Sequence, residues 1–200
     1  MNQSEKRLFL IQSLLRENPE YRDLGIPAEP ESQRQLLRGL MNIRAPQRTD
    51  ADFLQMQDAY LQGENAAKGI TNAADLAPVQ PGLYLWQGDI TTLQCDAIVN
   101  AANSGMTGCY IPNHRCIDNA IHTFAGVELR LACAELMEQQ GYPEPTGRAK
   151  ITPAFNLPCK YVLHTVGPII NGRVTKADKE LLASCYRSCL ELAAENGLES

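Results

Sequence analysis

From residue 79 onward the chain alternates short apolar runs with longer amphipathic ones, and that alternation leaves few folds open. Residues 83–88, Leu-Tyr-Leu-Trp-Gln-Gly, read as a strand. Ala97-Ile98-Val99-Asn100-Ala101-Ala102 is a short apolar run of the kind found in a buried central strand. Tyr161-Val162-Leu163-His164-Thr165-Val166 is a third strand, stopped by Gly167-Pro168. Between them, Ile121, Phe124, Leu129, Leu131 and Leu136 predict helix from Ile117 onward, broken around Gly126. A last amphipathic helix from Lys176 to Glu195 should turn Leu181, Leu182, Cys185, Cys189, Leu192 and Ala193 inward, with Gly197 as its stop. Strands alternating with helices specify a layered α/β domain. A further strand is expected to begin near Leu198.

The first 78 residues are of a different kind. Apolar residues recur at helical spacing at Leu8, Ile11, Leu14 and Leu15, then at Leu36, Leu37, Leu40 and Met41, then at Phe53, Met56, Tyr60 and Leu61. Asn18-Pro19 ends the first helix, Ala45-Pro46 breaks the chain again, and Thr49 or Asp50 can cap the third. Residues 1–78 are therefore expected to form an α-helical extension packed on the domain of residues 79–200, without a catalytic constellation of its own.

One loop carries unusual chemistry. Gly108-Cys109-Tyr110-Ile111-Pro112-Asn113-His114-Arg115-Cys116 places two thiols and an imidazole in the spacing Cys-x4-His-x-Cys. Soft sulfur together with imidazole nitrogen suits Zn²⁺, and three ligands leave a fourth position for water or substrate. Buried thiols beside a surface histidine are the ordinary alternative, but Gly, Pro, Asn and Arg mark this stretch as a loop, not a core. The seven cysteines are odd in number, and Met1-Asn2-Gln3-Ser4-Glu5 opens a polar segment with no signal-peptide pattern. Free thiols in a reducing cytoplasm follow as the expectation. Cys133, Cys159, Cys185 and Cys189 read as structural, and His122 and His164 as packing residues. A net charge of −5 argues against a nucleic-acid surface, and no apolar run approaches the roughly 18 residues of a membrane span. A nucleotide-sized ligand stays open, because backbone amides can hold one.

Four polar positions lie at or near the ends of the predicted strands. Asp89, in Gly88-Asp89-Ile90-Thr91, can accept from an amino group of a ligand or form an Asx turn, with Gly88 allowing a tight turn. Asn100 and Asn103 sit at the carboxyl end of the apolar run, where α/β folds bind ligands, or they satisfy local backbone. Asp118 follows Cys116 by two residues and can either cap the helix or orient and deprotonate a water near the metal.

Taken together, Gly88-Asp89-Ile90-Thr91, Asp96-Ala97-Ile98-Val99-Asn100-Ala101-Ala102-Asn103-Ser104, Ile117-Asp118-Asn119-Ala120-Ile121-His122 and Leu163-His164-Thr165-Val166-Gly167-Pro168 resemble the macrodomain family. The Cys/His loop replaces the family's glycine-rich loop and resembles that of the zinc-dependent bacterial macrodomains. The resemblance implies a three-layer macrodomain with a central mixed sheet flanked by helices, preceded by the helical extension. It implies a cytoplasmic hydrolase that removes mono-ADP-ribose from modified protein side chains, with a lipoyl-carrier protein as substrate and a sirtuin-type ADP-ribosyltransferase as companion. Position by position, Asp89 would bind the adenine amino group and Ile90 would contribute backbone contacts near adenine and diphosphate. Asn103 would contact the distal ribose, Asp118 would stand near the scissile bond, and Cys109, His114 and Cys116 would hold zinc. The family's second diphosphate-binding loop would lie beyond the strand near Leu198, so the domain is expected to be incomplete at its C-terminus. A module that binds ADP-ribose without cleaving it, its zinc purely structural, is the alternative.

Overall fold

The computed structural model describes residues 1–200. Its helices are α1 (Gln3–Glu17), α2 (Pro30–Ile43), α3 (Ala51–Lys68), α4 (Ile117–Ala125), α5 (Val127–Gln140) and α6 (Lys176–Glu195). Its strands are β1 (Thr71–Asn72), β2 (Pro78–Gln80), β3 (Leu83–Tyr84), β4 (Leu93–Gln94), β5 (Ala97–Ala102), β6 (Ala149–Pro153) and β7 (Tyr161–Val166). The principal sheet runs β5-β7-β6, with β5 parallel and β6 antiparallel to β7. Helices α4 and α5 pack on one side of it and α6 contacts β6 and β7, which gives the expected mixed sheet between helical layers.

Within the three strands β7 lies in the middle, beside Ala97–Ala102. Five of the six β7 residues are buried, whereas β5 alternates, with Ile98, Asn100 and Ala102 inward and Val99 and Ala101 outward. Successive side chains of a strand point to opposite faces of the sheet, and only the face of β5 that meets α4 is covered. The free side of β5 is met at its start by residues 199–200: Ala97 N donates to the Ser200 carbonyl at 2.9 Å. The expected strand over residues 83–88 shrinks to the two residues of β3, in an exposed hairpin with β2 outside the principal sheet. Strand β6 had no clear periodic signal. In α6, Cys185 and Cys189 are buried as expected, while Leu181 and Leu182 are exposed, because the sheet beneath covers only one narrow face of the helix.

Two apolar cores form. The domain core gathers Ile98, Met106, Ile121, Leu129, Cys133 and Val162. The extension core gathers Leu10, Ile11, Leu14, Leu37, Leu40, Phe53 and Tyr60, and is closed from the domain side by Val127. Between the cores the contact is polar. Gln57, fully buried, accepts from Val127 N through Oε1 at 2.8 Å, and Asn65 donates to the Asn156 carbonyl at 3.1 Å. Asp50, not Thr49, caps α3 by accepting from Phe53 N at 2.7 Å.

The break between α4 and α5 falls at Gly126, with φ 100 and ψ 177, a region open essentially to glycine alone. A Cβ there would also lie 2.7 Å from the Gln57 amide. Gly126→Ala should therefore cost about 2 kcal/mol or more in urea unfolding, since strain and a displaced interface bond act together. An unchanged midpoint would mean that the helix break is not imposed by this backbone.

Candidate active site

Strand β5 ends in Asn100, Ala101 and Ala102, and α4 begins opposite with Cys116 and Asp118. These two ends and the intervening loop build the site. Asp118 is 5% exposed. Its Oδ1 accepts from Asn100 Nδ2 at 2.8 Å, its Oδ2 from Asn103 Nδ2 at 3.3 Å, and His122 Nε2 stands 3.5 Å from Oδ1. Asp118 does not cap α4. That role belongs to Cys116, whose Sγ accepts from Asn119 N at 3.4 Å. Released from the cap, the carboxylate turns inward to the two asparagine amides. Burial pushes its pKa up, against the opposing pull of Asn100, Arg130 and Asn103.

A polar chain continues beneath. Asn100 Nδ2 lies 3.1 Å from His164 Nδ1, and His164 Nε2 lies 2.9 Å from Thr152 Oγ1. Because the asparagine amide can only donate, Nδ1 accepts and the ring proton sits on Nε2, directed at Thr152. His164 is thus the satisfied packing histidine that the sequence suggested. His122 is not: it is buried with neither ring nitrogen hydrogen-bonded, and Asn100 Oδ1 is likewise unpartnered. Sequence reasoning missed this pair of open groups next to Asp118. The only signal available was the i, i+4 spacing of Asp118 and His122 along one helix face.

The Cys/His loop lies beside this carboxylate. The ligand atoms of Cys109, His114 and Cys116 all fall within 4.8 Å of one another, so this donor set of two sulfurs and one nitrogen can close on a single tetrahedral cation. The group contains three ligands and no fourth. Burial first, and Cys109 beside it, push the Cys116 thiol up. Asn103 is exposed at the mouth, where its Nδ2 also donates to the Gly108 carbonyl at 3.0 Å and its Oδ1 accepts from Gly105 N at 2.9 Å.

Asp89 stands apart from this group. Its Oδ1 accepts from Thr91 N and Thr91 Oγ1, at 3.0 and 2.7 Å, in the turn expected of an Asx motif. Its Oδ2 pairs with Lys68 Nζ at 3.3 Å, and that ammonium lies 3.1 Å from the centre of the Phe124 ring. Burial works to raise the Asp89 pKa, but the Thr91 bonds and Lys68 outweigh it and hold it below the usual value. Gly88 has no left-handed backbone, but a Cβ there would lie 2.2 Å from the Trp86 ring, so any larger residue would have to turn that ring aside. Ile90 follows in a single helical turn, with its side chain against the domain core. A cavity of about 510 Å³ opens next to these groups, between α2, α3, the Cys/His loop and α4, lined among others by Arg38, Lys68, Arg115, Tyr60 and Phe124. It does not include Asp118 or Asn103.

Residues 99–200 match the family model described as Macro domain. A protein-ADP-ribose hydrolase of Treponema medium is 62% identical over 204 residues, a match spanning 100% of this chain and 78% of the relative. A protein-ADP-ribose hydrolase of Staphylococcus aureus (strain MSSA476) is 48% identical over 192 residues, spanning 95% of this chain and 72% of the relative. Among solved structures, the Trypanosoma brucei macrodomain in complex with ADP aligns with a TM-score of 0.55 at 30% identity, covering 82% of this chain and 70% of that one. The Oceanobacillus iheyensis macrodomain with ADP aligns at 0.50 and 44% identity over 56% of each chain. No helix of this chain is long and apolar enough to cross a membrane.

The buried histidine sets a pH dependence. Burial lowers the His164 pKa to about 4, from 6.5 when unfolded. Between these values the unfolded chain binds more protons, so stability is full above pH 6.5 and is lost on acidification towards pH 4, by at most about 1.4 kcal/mol per pH unit. His122, also pushed down by burial, acts in the same direction. Urea midpoints of metal-free protein should fall from pH 7 to pH 5, and His164→Gln should flatten that slope. An unchanged slope would remove His164 from the acid response.

Proposed function

The chain belongs to the macro domain family, and from that premise we propose that it is a zinc-dependent protein-ADP-ribose hydrolase that removes mono-ADP-ribose from modified side chains. The observation that carries this reading is the buried Asp118 carboxylate, held by two asparagine amides next to a loop bearing two thiols and an imidazole. The names of the Treponema and Staphylococcus relatives support the hydrolase activity.

Each residue takes a role that its surroundings allow. Asn103 is exposed and offers its amide to a distal-ribose hydroxyl in exchange for the Gly108 carbonyl. Asp118, fixed at Oδ1 by Asn100, uses Oδ2 to orient a water towards the scissile carbon or to take up its proton. Neutral His122 stands behind it with no competing partner. Asp89 accepts from the adenine amino group at Oδ2, which requires that it share this oxygen with Lys68 or release it, while the Ile90 backbone lies alongside. Cys109, His114 and Cys116 would hold zinc with one position open, where the metal supplies Lewis-acid polarisation of a ribose hydroxyl or a water of lowered pKa. A donor set of three supports this over a closed structural site. The substrate we favour is a mono-ADP-ribosylated lipoyl-carrier protein, modified by a sirtuin-type ADP-ribosyltransferase.

The test is release of ADP-ribose from such a carrier, with and without a chelator. One zinc per chain is expected in freshly purified protein, and Cys116→Ser should abolish turnover together with metal content. Asp118→Asn should lower turnover about 10²–10⁴-fold, well beyond what any fall in melting temperature from setting its amide against one of the two asparagine donors accounts for. Wild-type turnover in Asp118→Asn would exclude it from the chemistry. Chelator-resistant release would exclude zinc.

Asp89→Ala should weaken ADP-ribose binding by about 1.5–3 kcal/mol, the usual value of a hydrogen bond to a charged group. Calorimetry giving an unchanged dissociation constant would remove Asp89 from the adenine site.

A further inference from the structure

The Cys/His loop is an exposed segment with little apolar packing of its own. Tyr110, Ile111, Pro112, Asn113, His114 and Arg115 are all exposed. Its order must come from polar contacts, and the principal ones reach it from the helical extension. On α2, Arg38 and Asn42 are four residues apart and share one helix face. Arg38 donates through Nη2 to the His114 carbonyl at 3.0 Å, and through Nε and Nη2 to Asn119 Oδ1 at 3.2 and 2.8 Å. Asn119, completely buried, donates in turn through Nδ2 to the Ile111 carbonyl at 3.1 Å. Asn42 Oδ1 accepts from Asn113 N at 2.9 Å, while its amide donates to Thr123 Oγ1 at 3.0 Å.

Two features mark where the loop meets α2. Asn113 has φ 56, in the left-handed region that asparagine tolerates better than most residues, and it immediately precedes His114. Gly39 lies between the two polar residues of α2, and a Cβ there would sit in ordinary contact with the Asn113 amide at 3.4 Å and Pro112 at 3.7 Å, which places the loop directly against this helix face. The bonds therefore fix the backbone on both sides of His114.

We propose that Arg38 and Asn42 of the helical extension are positioning residues for the Cys/His loop, presenting His114 to a metal bound with Cys109 and Cys116. The metal part rests on the zinc reading above, while the loop part stands by itself. Groups that orient ligands in this manner typically change metal affinity 10–100-fold when removed. The extension is then part of the site and not an appendage.

The experiment uses the full chain, wild type, Arg38→Ala, Arg38→Lys and Asn42→Ala. Zinc affinity is read by competition with a chromophoric chelator, and ligand geometry by the visible spectrum of the Co²⁺-loaded protein. Amide hydrogen exchange of residues 109–116 is read on metal-free protein, with urea unfolding as the global control. Arg38→Ala should weaken zinc binding about 10–100-fold, alter the Co²⁺ spectrum and speed loop exchange about tenfold or more, in excess of the fall in urea midpoint that comes from leaving the buried Asn119 Oδ1 without its donor. Arg38→Lys should fall between, because it keeps the charge and loses the planar fork. Asn42→Ala should loosen Asn113 and His114 most. If loop exchange in metal-free Arg38→Ala equals that of wild type, the proposal is overturned, and it is equally overturned if affinity falls only in step with global stability. A wild-type chain that binds no zinc would instead refute the metal reading, and the exchange data would still decide whether α2 holds the loop.

Discussion

The arrangement depends most on one buried cation. Arg130 of α5 is 4% exposed and cannot be deprotonated at any working pH, so each of its donors needs a partner. For Nη1 these lie at the carboxyl end of α2, where it donates to the carbonyls of Asn42 and Arg44, groups that a helix terminus leaves open. The guanidinium carbon lies 4.1 Å from the centre of the Tyr110 ring in the Cys/His loop. It also acts at a distance on Asp118, favouring the carboxylate that burial disfavours. One side chain thus joins the extension, the domain, the loop and the candidate catalytic group. Removing it would leave helix carbonyls without donors inside the protein, which costs more than the bonds themselves contribute.

The same logic runs along the whole contact between extension and domain. Apolar residues fill the two cores, but the surface between them is held by Gln57, Asn65, Asn156, Asn42 and Arg38. Buried amides add little net stability, because they exchange water bonds for protein bonds. They tolerate few alternative geometries, however, since a slipped register would strand donors and acceptors. An extension docked by such contacts is fixed in position and not merely attached. That precision matters where α2 meets the Cys/His loop, which would have to hold its three donor atoms to within tenths of an ångström around a metal.

Charge in the site is divided between two carboxylates. Asp89 is held ionised by Thr91 and Lys68, whereas Asp118 is pushed towards neutrality by burial and kept in place by amides. Two carboxylates in contrasting environments can serve different purposes, one binding and one chemical. The Lys68–Asp89 pair also brings the last turn of the extension against Phe124 of α4, so the extension touches both ends of the candidate cleft.

Much of this was legible without coordinates. Helical periodicity located α6 from Lys176 to Glu195 and the break at Gly126, apolar runs located β5 and β7, and ligand chemistry singled out Cys109, His114 and Cys116. These are local properties: period, propensity and residue type are written within a few positions of one another. Which of the three strands lies in the middle, that Cys116 and not Asp118 caps α4, that His122 lies unpartnered beside a carboxylate, and that Arg38, Asn42 and Arg130 organise the loop were decided by the tertiary structure alone. Arg38 meets Asn119 across 81 residues of chain, and Arg130 meets Asn42 across 88. No local pattern encodes such partners, because a polar side chain looks the same in sequence whether it ends in water or bonds a distant carbonyl. Only packing, by removing the water, makes it choose.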